Sequence, residues 1–266
     1  MAVVVRKVWQ SNLDAEFRLI KGCLKQFRFA SMDTEFPGTI YKPEGSVSSL
    51  SAAHLYALMK RNVDALNIIQ LGLTLSDAHG NLPTLGTPAT FYVWEFNFRD
   101  FDSDYDRYNP ESIAFLRDQG INFAEHKRRG INSRFFAAYF LKSGLGMGRA
   151  WVTFHGLYDF GFLIKILTRE ALPIHLQHFM LLLRRFLGIQ VYDLKPITRS
   201  FALHGGLDAV ARSLSVERAA GKSHHAGSDS LLTMQVFTRL VLNSNHASSV
   251  CAMLHRFNYL LYGLTC

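Results

Sequence analysis

The stretch "FRFASMDTEFPG" (residues 27–38) places two acids, Asp33 and Glu35, inside a run that otherwise has the composition of a buried β-strand. Alternate side chains of a strand point to the same face, so these two carboxylates would lie side by side. A carboxylate removed from water without a partner is costly, and burial normally makes it take up a proton. The pair must therefore be solvated, matched by basic side chains or bound to a cation. A surface strand of salt bridges is the commoner use of two such acids, so the strand alone does not decide between these explanations.

The surrounding sequence predicts an α/β fold with a mixed sheet flanked by helices. Three strands with short connections predict an antiparallel meander, and the later β–α–β units predict parallel strands. The predicted strands are 28–36, 68–77, 91–98, 150–154 and 189–197. The predicted helices are 11–27 with Ser11 or Asn12 as N-cap, 48–66, several in 103–148 with Pro110 in an opening turn, 158–168, a helical pair around 173–187, and helices over the remainder. No linker or repeat stands out, so we expect one domain over residues 1–266.

Composition excludes a disordered chain and favours a polyanionic partner. Of the 266 residues, 48% are hydrophobic and 19% charged, which is enough to bury a sizeable core. The formal net charge of +8 suits a partner such as nucleic acid. The basic runs at 125–130 and 182–186 are interpreted as solvated faces. Trp9, Trp94 and Trp151 lie in apolar runs and are predicted to belong to the core.

The cysteines and the apolar segments indicate a soluble protein of a reducing compartment. Cys23, Cys251 and Cys266 are far apart and form no Cys-x-x-Cys pair, so neither a disulfide framework nor a sulfur-ligated zinc site is expected. The first residues lack the pattern of a signal peptide. The most apolar later stretch, 172–188, contains two histidines and two arginines and is too short to span a bilayer.

Two more acids stand where predicted helices begin. Asp159 follows a short apolar strand, and Asp229 lies in "HHAGSDSLLT" (224–233). Singly, each has an ordinary explanation: Asp159 would oppose the helix dipole, worth about 0.3–1 kcal/mol, and Ser228 or Asp229 would cap a helix.

Taken together, the four acids predict a metal site. Carboxylates that converge at the edge of one sheet repel each other unless cations hold them, and hard divalent ions such as Mg²⁺ or Mn²⁺ prefer oxygen ligands. Two such ions about 3.5–4 Å apart can activate water and stabilise the leaving oxygen of a phosphodiester. The predicted ligands are Asp33, Glu35, Asp159 and Asp229.

Three segments carry a family resemblance. "DTEFPG" (33–38), "FHGLYDFGFLIKILT" (154–168) and "HHAGSDSLLT" (224–233) resemble, in order, the motifs of CAF-type deadenylases. These are the catalytic poly(A) ribonuclease subunits of the carbon-catabolite-repressor/Not (CCR-NOT) complex, within the DEDD exonuclease superfamily. The similarity extends from about residue 8 to beyond residue 240. It implies a ribonuclease H-like fold and a 3′→5′ exoribonuclease that shortens mRNA poly(A) tails and releases AMP with two divalent cations, Mg²⁺ or Mn²⁺.

The resemblance also implies partners and a location. The partners would be single-stranded poly(A) RNA, a large helical scaffold subunit and a nuclease with leucine-rich repeats, with no membrane. The location would be the cytoplasm, and the nucleus in addition. One alternative is a DEDD exonuclease that trims other 3′ ends. A second alternative is a subunit that acts mainly as a bridge in the complex.

By position, the resemblance makes the four acids metal ligands and His224 the general base. Histidine suits that task because its ordinary pKa is near 6.5. In the superfamily a histidine base precedes the last Asp by five residues, as His224 precedes Asp229, whereas a tyrosine base precedes it by four. His225 occupies that second position, where relatives usually have glutamine. We favour His224 because "AGS" (226–228) reads as a loop, whereas an earlier helix start would put His225 on the face of Asp229.

Four residues are candidate substrate contacts: Phe36, His155, Leu157 and His225. Phe36 would stack on the terminal base or belong to the core, and His155 would contact the RNA backbone or be structural. Leu157, where relatives commonly have a smaller residue, would narrow the groove or fill a packing gap. A further acid, Asp193, is kept outside the metal set, with Lys195 as its expected partner.

Overall fold

The structure is a computed structural model, and it describes residues 2–43, 45, 50–242 and 247–264. Cys266, the side chain of Cys251 and residues 48–49 of a predicted helix lie outside the described part of the chain, whereas Cys23 is buried. The strands of the described residues are β1 (Ala2–Val8), β2 (Phe29–Glu35), β3 (Gln70–Ser76), β4 (Thr90–Asn97), β5 (Ala150–Thr153) and β6 (Gln190–Asp193).

The strands form one mixed sheet in the order β1-β4-β3-β2-β5-β6. Strands β2, β3 and β4 pair antiparallel, and β5 and β6 continue the sheet in parallel with β2, which confirms the predicted meander and parallel strands. Strand β1 was not predicted. It pairs in parallel with β4 at the edge of the sheet, and its sequence AVVVRKV has the β-branched composition of a strand, with side chains that are mostly exposed or half-buried.

Helices cover both faces of the sheet. They are α1 (Leu13–Cys23), α2 (Ala52–Ala65), α3 (Pro110–Asp118), α4 (Phe123–Arg129), α5 (Ser133–Ser143), α6 (Leu157–Thr168), α7 (Leu176–Leu187), α8 (Leu194–Ser200), α9 (Leu207–Ser213), α10 (Ala226–Phe237), a π-helical turn (Thr238–Leu242) and α11 (Ala247–Phe257). Asn12 precedes α1, and Asn109 caps α3 with Pro110 in its first turn, as expected.

One expectation about a helix and one about a strand were wrong. The predicted pair around 173–187 is the single helix α7. The predicted strand 189–197 ends at Asp193, because the Asp193 carboxylate accepts the Lys195 N–H at 3.0 Å and thereby caps α8.

The core lies on both sides of the sheet. One apolar cluster joins it to helices α1, α2, α5, α6 and α7, and a second joins it to α8, α9, α10 and α11. Trp94 and Trp151 are fully buried and Trp9 is nearly so, which confirms their predicted core role. The basic side chains of α4 and α7 that formed the two runs are exposed, as expected of solvated faces. No helix in the described ranges combines the length and apolar character needed to cross a bilayer.

Candidate active site

The acids of β2 face helix α10. Ser31 lies on the same face of the strand as Asp33 and Glu35, and its hydroxyl donates to the Ser230 carbonyl of α10 at 2.7 Å. Thr34 points to the opposite face. The alternation of the strand therefore directs both carboxylates toward the helix that carries Asp229.

A glycine on β3 lets that helix approach the sheet. Gly72 pairs with Asp33 on one side and with Glu95 on the other. A Cβ added at Gly72 would lie 1.7 Å from the carbonyl oxygen of Ala226, the first residue of α10. This close approach brings the first turn of α10, with Asp229, down onto the edge of the sheet where β2 ends.

Asp159 reaches the same edge from the other face. Strand β5 runs parallel to β2 and leads into α6, whose third residue is Asp159. The Thr34 hydroxyl donates to Asp159 Oδ1 at 2.6 Å. Asp159 is 6% exposed and Asp229 is 7% exposed, so both carboxylates are largely out of water.

Burial and the proximity of these carboxylates raise their pKa values. Removal from water, followed by the charges of Asp159, Asp229 and Glu35, raises the pKa of Asp33 well above its ordinary value. Burial and then the charges of Asp229, Asp159 and Glu95 raise the pKa of Glu35 to about 8. Burial likewise raises the pKa of Asp159 to about 7. Four mutually repelling acids drawn from distant parts of the chain are thus gathered at one sheet edge.

The donor set fits hard divalent cations. The chain supplies four carboxylates there, and one ligand atom from each of Glu35, His224 and Asp229 lies within 4.8 Å of the others. Oxygen-rich sites of this kind suit Mg²⁺ or Mn²⁺. Positive charge in the site would remove the repulsion that raises the pKa values of these acids.

The two histidines have separate positions. His224 is exposed and lies beside Glu35 and Asp229, and its backbone N–H donates to Asp229 Oδ2 at 2.8 Å. His225 instead turns away: its Nε2 lies 2.9 Å from the Gln119 carbonyl oxygen, to which it must donate. Its Nδ1 lies 3.8 Å from Glu95 Oε2.

The reason given for preferring His224 was wrong, although the structure does place His224 beside the acids. Residues 226–228 are helical, so neither Ser228 nor Asp229 is the cap of α10, and His225 occupies the N-cap position. His225 does not join the acids, because its ring points toward Gln119 and Glu95.

Arg218 is a site residue that the sequence analysis missed. Its Nη1 lies 2.6 Å from Asp229 Oδ1 and donates to Ser228 Oγ at 2.7 Å, and its Nη2 lies 2.7 Å from Asp208 Oδ1. The guanidinium therefore ties α9 to the first turn of α10. Arg218 belongs to none of the three motifs, and only its charge, 11 residues before Asp229, could have drawn attention to it.

Three of the four candidate substrate contacts, Phe36, His155 and Leu157, line one cavity of about 650 Å³ beside Asp33 and Asp159. His225 is not among its lining residues, because its ring points toward Gln119 and Glu95. The Phe36 ring stacks on Tyr158 with centroids 5.2 Å apart and also packs on Phe162 at 5.0 Å. Leu157 is buried and belongs to the large apolar cluster, with its edge at the cavity. His155 is exposed in the cavity wall.

Asp193 has a different partner from the one expected. Its carboxylate accepts the backbone N–H groups of His155 (2.7 Å), Gly156 (3.2 Å), Lys195 (3.0 Å) and Tyr262 (2.9 Å). The Lys195 ammonium instead bonds the Gly205 carbonyl. Asp193 is fully buried and serves to join three chain segments.

Comparison with known proteins identifies relatives along the whole chain. A model of the CAF1 family of ribonucleases matches residues 8–136. The chain is 42% identical to "Probable CCR4-associated factor 1 homolog 7" of Arabidopsis thaliana, over 99% of this chain and 94% of that protein. It is 38% identical to "Poly(A) ribonuclease pop2" of Schizosaccharomyces pombe, over 98% of this chain and 75% of that protein.

Solved structures give the same relation. S. pombe Pop2p in its Mg²⁺- and Mn²⁺-bound form is 37% identical with a TM-score of 0.85, covering 98% of this chain and 99% of that one. Yeast CAF1, crystallised with the NOT1 MIF4G domain, is 32% identical with a TM-score of 0.76, covering 97% and 96%. Escherichia coli exonuclease I shares the fold alone, at 15% identity and a TM-score of 0.56 over 87% and 43%.

Proposed function

We propose that this chain, which belongs to the CAF1 family of ribonucleases, is a 3′→5′ exoribonuclease that shortens mRNA poly(A) tails and releases AMP. The observation that carries the proposal is the gathering of Asp33, Glu35, Asp159 and Asp229 at one sheet edge with His224 beside them. The name and family of the pop2 relative support poly(A) as the substrate.

The four carboxylates would hold two divalent cations, Mg²⁺ or Mn²⁺, as in the form of Pop2p solved with both ions. When bound, such ions lower the pKa of a coordinated water and stabilise charge on the leaving oxygen. Thr34 orients Asp159 by donating to its Oδ1 at 2.6 Å. The His224 N–H and Arg218 occupy the two oxygens of Asp229, which fixes the direction of its carboxylate.

His224 is the proposed general base. Its exposed imidazole lies beside Glu35 and Asp229, so it can accept the proton of a water that attacks the terminal phosphodiester. The edge of the Phe115 ring, 4.7 Å away between centroids, restricts the imidazole on one side. The water oxygen then bonds to the phosphorus, and the bond from the phosphorus to the 3′-oxygen of the preceding nucleotide breaks. That oxygen takes up a proton from solvent, which leaves AMP and an RNA one nucleotide shorter with a free 3′-hydroxyl.

We further propose that the chain works as a subunit of a CCR-NOT complex. Crystallisation of yeast CAF1 with the NOT1 MIF4G domain supports a large helical scaffold as a partner. A nuclease with leucine-rich repeats as a second partner, and a cytoplasmic and nuclear location, stay predictions. A purely bridging role is less well supported, because all four acids and His224 are present.

One experiment tests the activity. The protein is incubated with 5′-labelled RNA ending in A, or in C, G or U, with Mg²⁺ or Mn²⁺, beside Asp33→Asn as the control. We expect single-nucleotide shortening of the A-tailed RNA that stops in excess chelator and in the variant. Activity that survives the chelator would overturn the metal-dependent proposal, and equal rates on all four ends would overturn the poly(A) preference.

A further inference from the structure

The cavity beside the acids has a wall made from the last described residues of the chain. Besides Asp33 and Asp159, it is lined by Lys195, Tyr262 and Gly263. The ending "FNYLLYGLTC" (257–266) matches none of the three family motifs quoted above. The structure nevertheless places part of it beside the catalytic acids.

Tyr262 is held firmly in this wall. Its N–H donates to the buried Asp193 carboxylate at 2.9 Å, and Asp193 also fixes the backbone of His155 and of Lys195. The His155 ring meets the Tyr262 ring edge-on at 4.9 Å. The Arg199 guanidinium donates to the Tyr262 hydroxyl at 2.9 Å. The guanidinium carbon of Arg199 also lies over the Tyr262 ring, 5.4 Å from its centroid. The tyrosine is thus positioned by contacts on its backbone, its ring and its hydroxyl, while the side chain stays partly exposed.

The geometry of the reaction assigns the cavity to one part of the RNA. In an in-line displacement, the attacking water and the leaving 3′-oxygen lie on opposite sides of the phosphorus. His224 lies with Glu35 and Asp229, whereas the cavity adjoins Asp33 and Asp159. The leaving oxygen, with the nucleotide that carries it, therefore faces the cavity.

We infer that this cavity binds the penultimate nucleotide of the RNA, with Tyr262 stacking on its base and Lys195 contacting its phosphate. The inference rests on the proposed function. Stacking on an aromatic side chain tolerates any base. The ammonium group of Lys195 lies at the same wall, 5.3 Å from the centroid of the Phe154 ring, and supplies positive charge for the backbone.

Two substrates separate a binding role of Tyr262 from a structural one. Oligo(A) contains the penultimate nucleotide, whereas the methyl ester of AMP presents only the terminal one, with a leaving group too small to stack on Tyr262. For Tyr262→Leu we expect KM for oligo(A) to rise about tenfold, with kcat within about twofold and the ester hydrolysed as by the parent protein. Tyr262→Phe keeps the ring and should resemble the parent on both substrates. Tyr105→Leu, which removes a tyrosine that is 87% exposed elsewhere, is the matched control.

Three results would overturn the inference. An equal loss on both substrates would mean that Tyr262 only supports the fold, and unchanged kinetics on both would mean that the cavity does not hold RNA. In either case the parent protein's digestion of A-tailed RNA would leave the proposed function standing. A parent protein inactive on both substrates would overturn the proposed function and this inference together.

A binding measurement tests the proposed Lys195 contact separately, without the Tyr262 variant. Oligo(A) affinity is measured in chelator, which prevents cleavage, at several salt concentrations. Loss of one phosphate contact in Lys195→Gln should reduce the slope of log affinity against log salt by about 0.7. Lys127→Gln removes an exposed lysine paired with Asp102 and should leave the slope unchanged. Equal slopes for Lys195→Gln and the parent protein would contradict the phosphate contact.

Discussion

At the scale of single residues, the buried carboxylates differ in the charges and hydrogen-bond donors that surround them. Glu35 and Asp159 have raised pKa values because burial and neighbouring carboxylates oppose their ionisation. Asp193, also fully buried, has no such function and is instead matched by four backbone N–H groups. Burial alone therefore does not mark a ligand. Burial raises the pKa of Asp193 as well, and Asp159 and Asp229 also accept protein donors. Asp193 is set apart because its four donors are all backbone N–H groups, drawn from three segments of the chain.

His224 and His225 should differ sharply on substitution. We expect His224→Ala to lower kcat on oligo(A) by at least about 100-fold, because it removes the proposed general base. His225→Gln should keep most of the activity, since His225 bonds Gln119 and lies near Glu95 rather than among the four acids. Steady-state kinetics of both variants check this, and the reverse order of effects would transfer the role to His225.

Arg218 should strengthen metal binding although it does not coordinate the metal. Arg218→Leu leaves Asp229 without its guanidinium partner, so the Mg²⁺ concentration for half-maximal activity should rise about tenfold or more. Arg218→Lys should fall between this variant and the parent protein, because it keeps the charge without the bidentate geometry. Arg212→Leu, at an exposed position of α9, is the control. A Mg²⁺ titration unaffected by Arg218→Leu would rule out this role.

At the scale of elements, the site depends on how α10 packs against the sheet. The apolar and β-branched composition of β2, β3 and β4 was enough to predict the meander, and the β–α–β order predicted the parallel strands. The start of α10 could not be predicted, because "HHAGS" contains loop-forming residues and its first turn is fixed by tertiary contacts, those with Gly72 and Arg218 among them. The end of β6 was missed for a similar reason: Asp193 caps the next helix through its own side chain. Strand β1 was missed although its four valines are typical of a strand, because the run is short and is interrupted by Arg6 and Lys7.

The close approach at Gly72 predicts a large effect of a single methyl group. Gly72→Ala would place a Cβ 1.7 Å from the Ala226 carbonyl oxygen, so α10 must move away from the sheet. We expect the free energy of unfolding to fall by about 3 kcal/mol or more and activity to be lost.

Gly22→Ala in α1 provides the matched comparison. A Cβ at Gly22 meets no atom within 4 Å, so this change should stabilise the protein slightly, by about 0.5–1 kcal/mol. Urea unfolding of both variants measures the difference. Equal stabilities would mean that α10 is not held against Gly72 in solution.

At the scale of the whole molecule, the site reduces the stability of the metal-free protein. Folding brings four acids together whose pKa values are raised, and the unfolded chain would keep them ionised and apart. Between about pH 4.5 and pH 8, the folded protein therefore holds protons that the unfolded chain has released. By linkage, the contribution of these groups to the free energy of unfolding falls as the pH rises through that range.

Bound divalent cations should oppose this decrease in the free energy of unfolding with rising pH. Divalent cations bind the ionised carboxylates, so their stabilising effect should grow with pH. We expect the increase in Tm on adding MgCl₂ to be larger at pH 8.5 than at pH 6, by thermal unfolding with and without chelator. Asp159→Asn should show a small increase at both pH values. An increase in the parent protein that is the same at both values, or larger at pH 6, would contradict the assignment of Glu35 and Asp159 as the groups involved.

The proposed ligands of this site come from β2, from the start of α6 and from the start of α10, which are separated by more than 120 and by 70 residues along the chain. During synthesis, a ribosome that has reached residue 200 has made the segments of all six described strands and three of the acids, but neither His224 nor Asp229. Such a nascent chain is not yet a nuclease. The protein therefore becomes able to degrade RNA only after residue 229 has been translated, so its own message is read at least that far before an active enzyme exists.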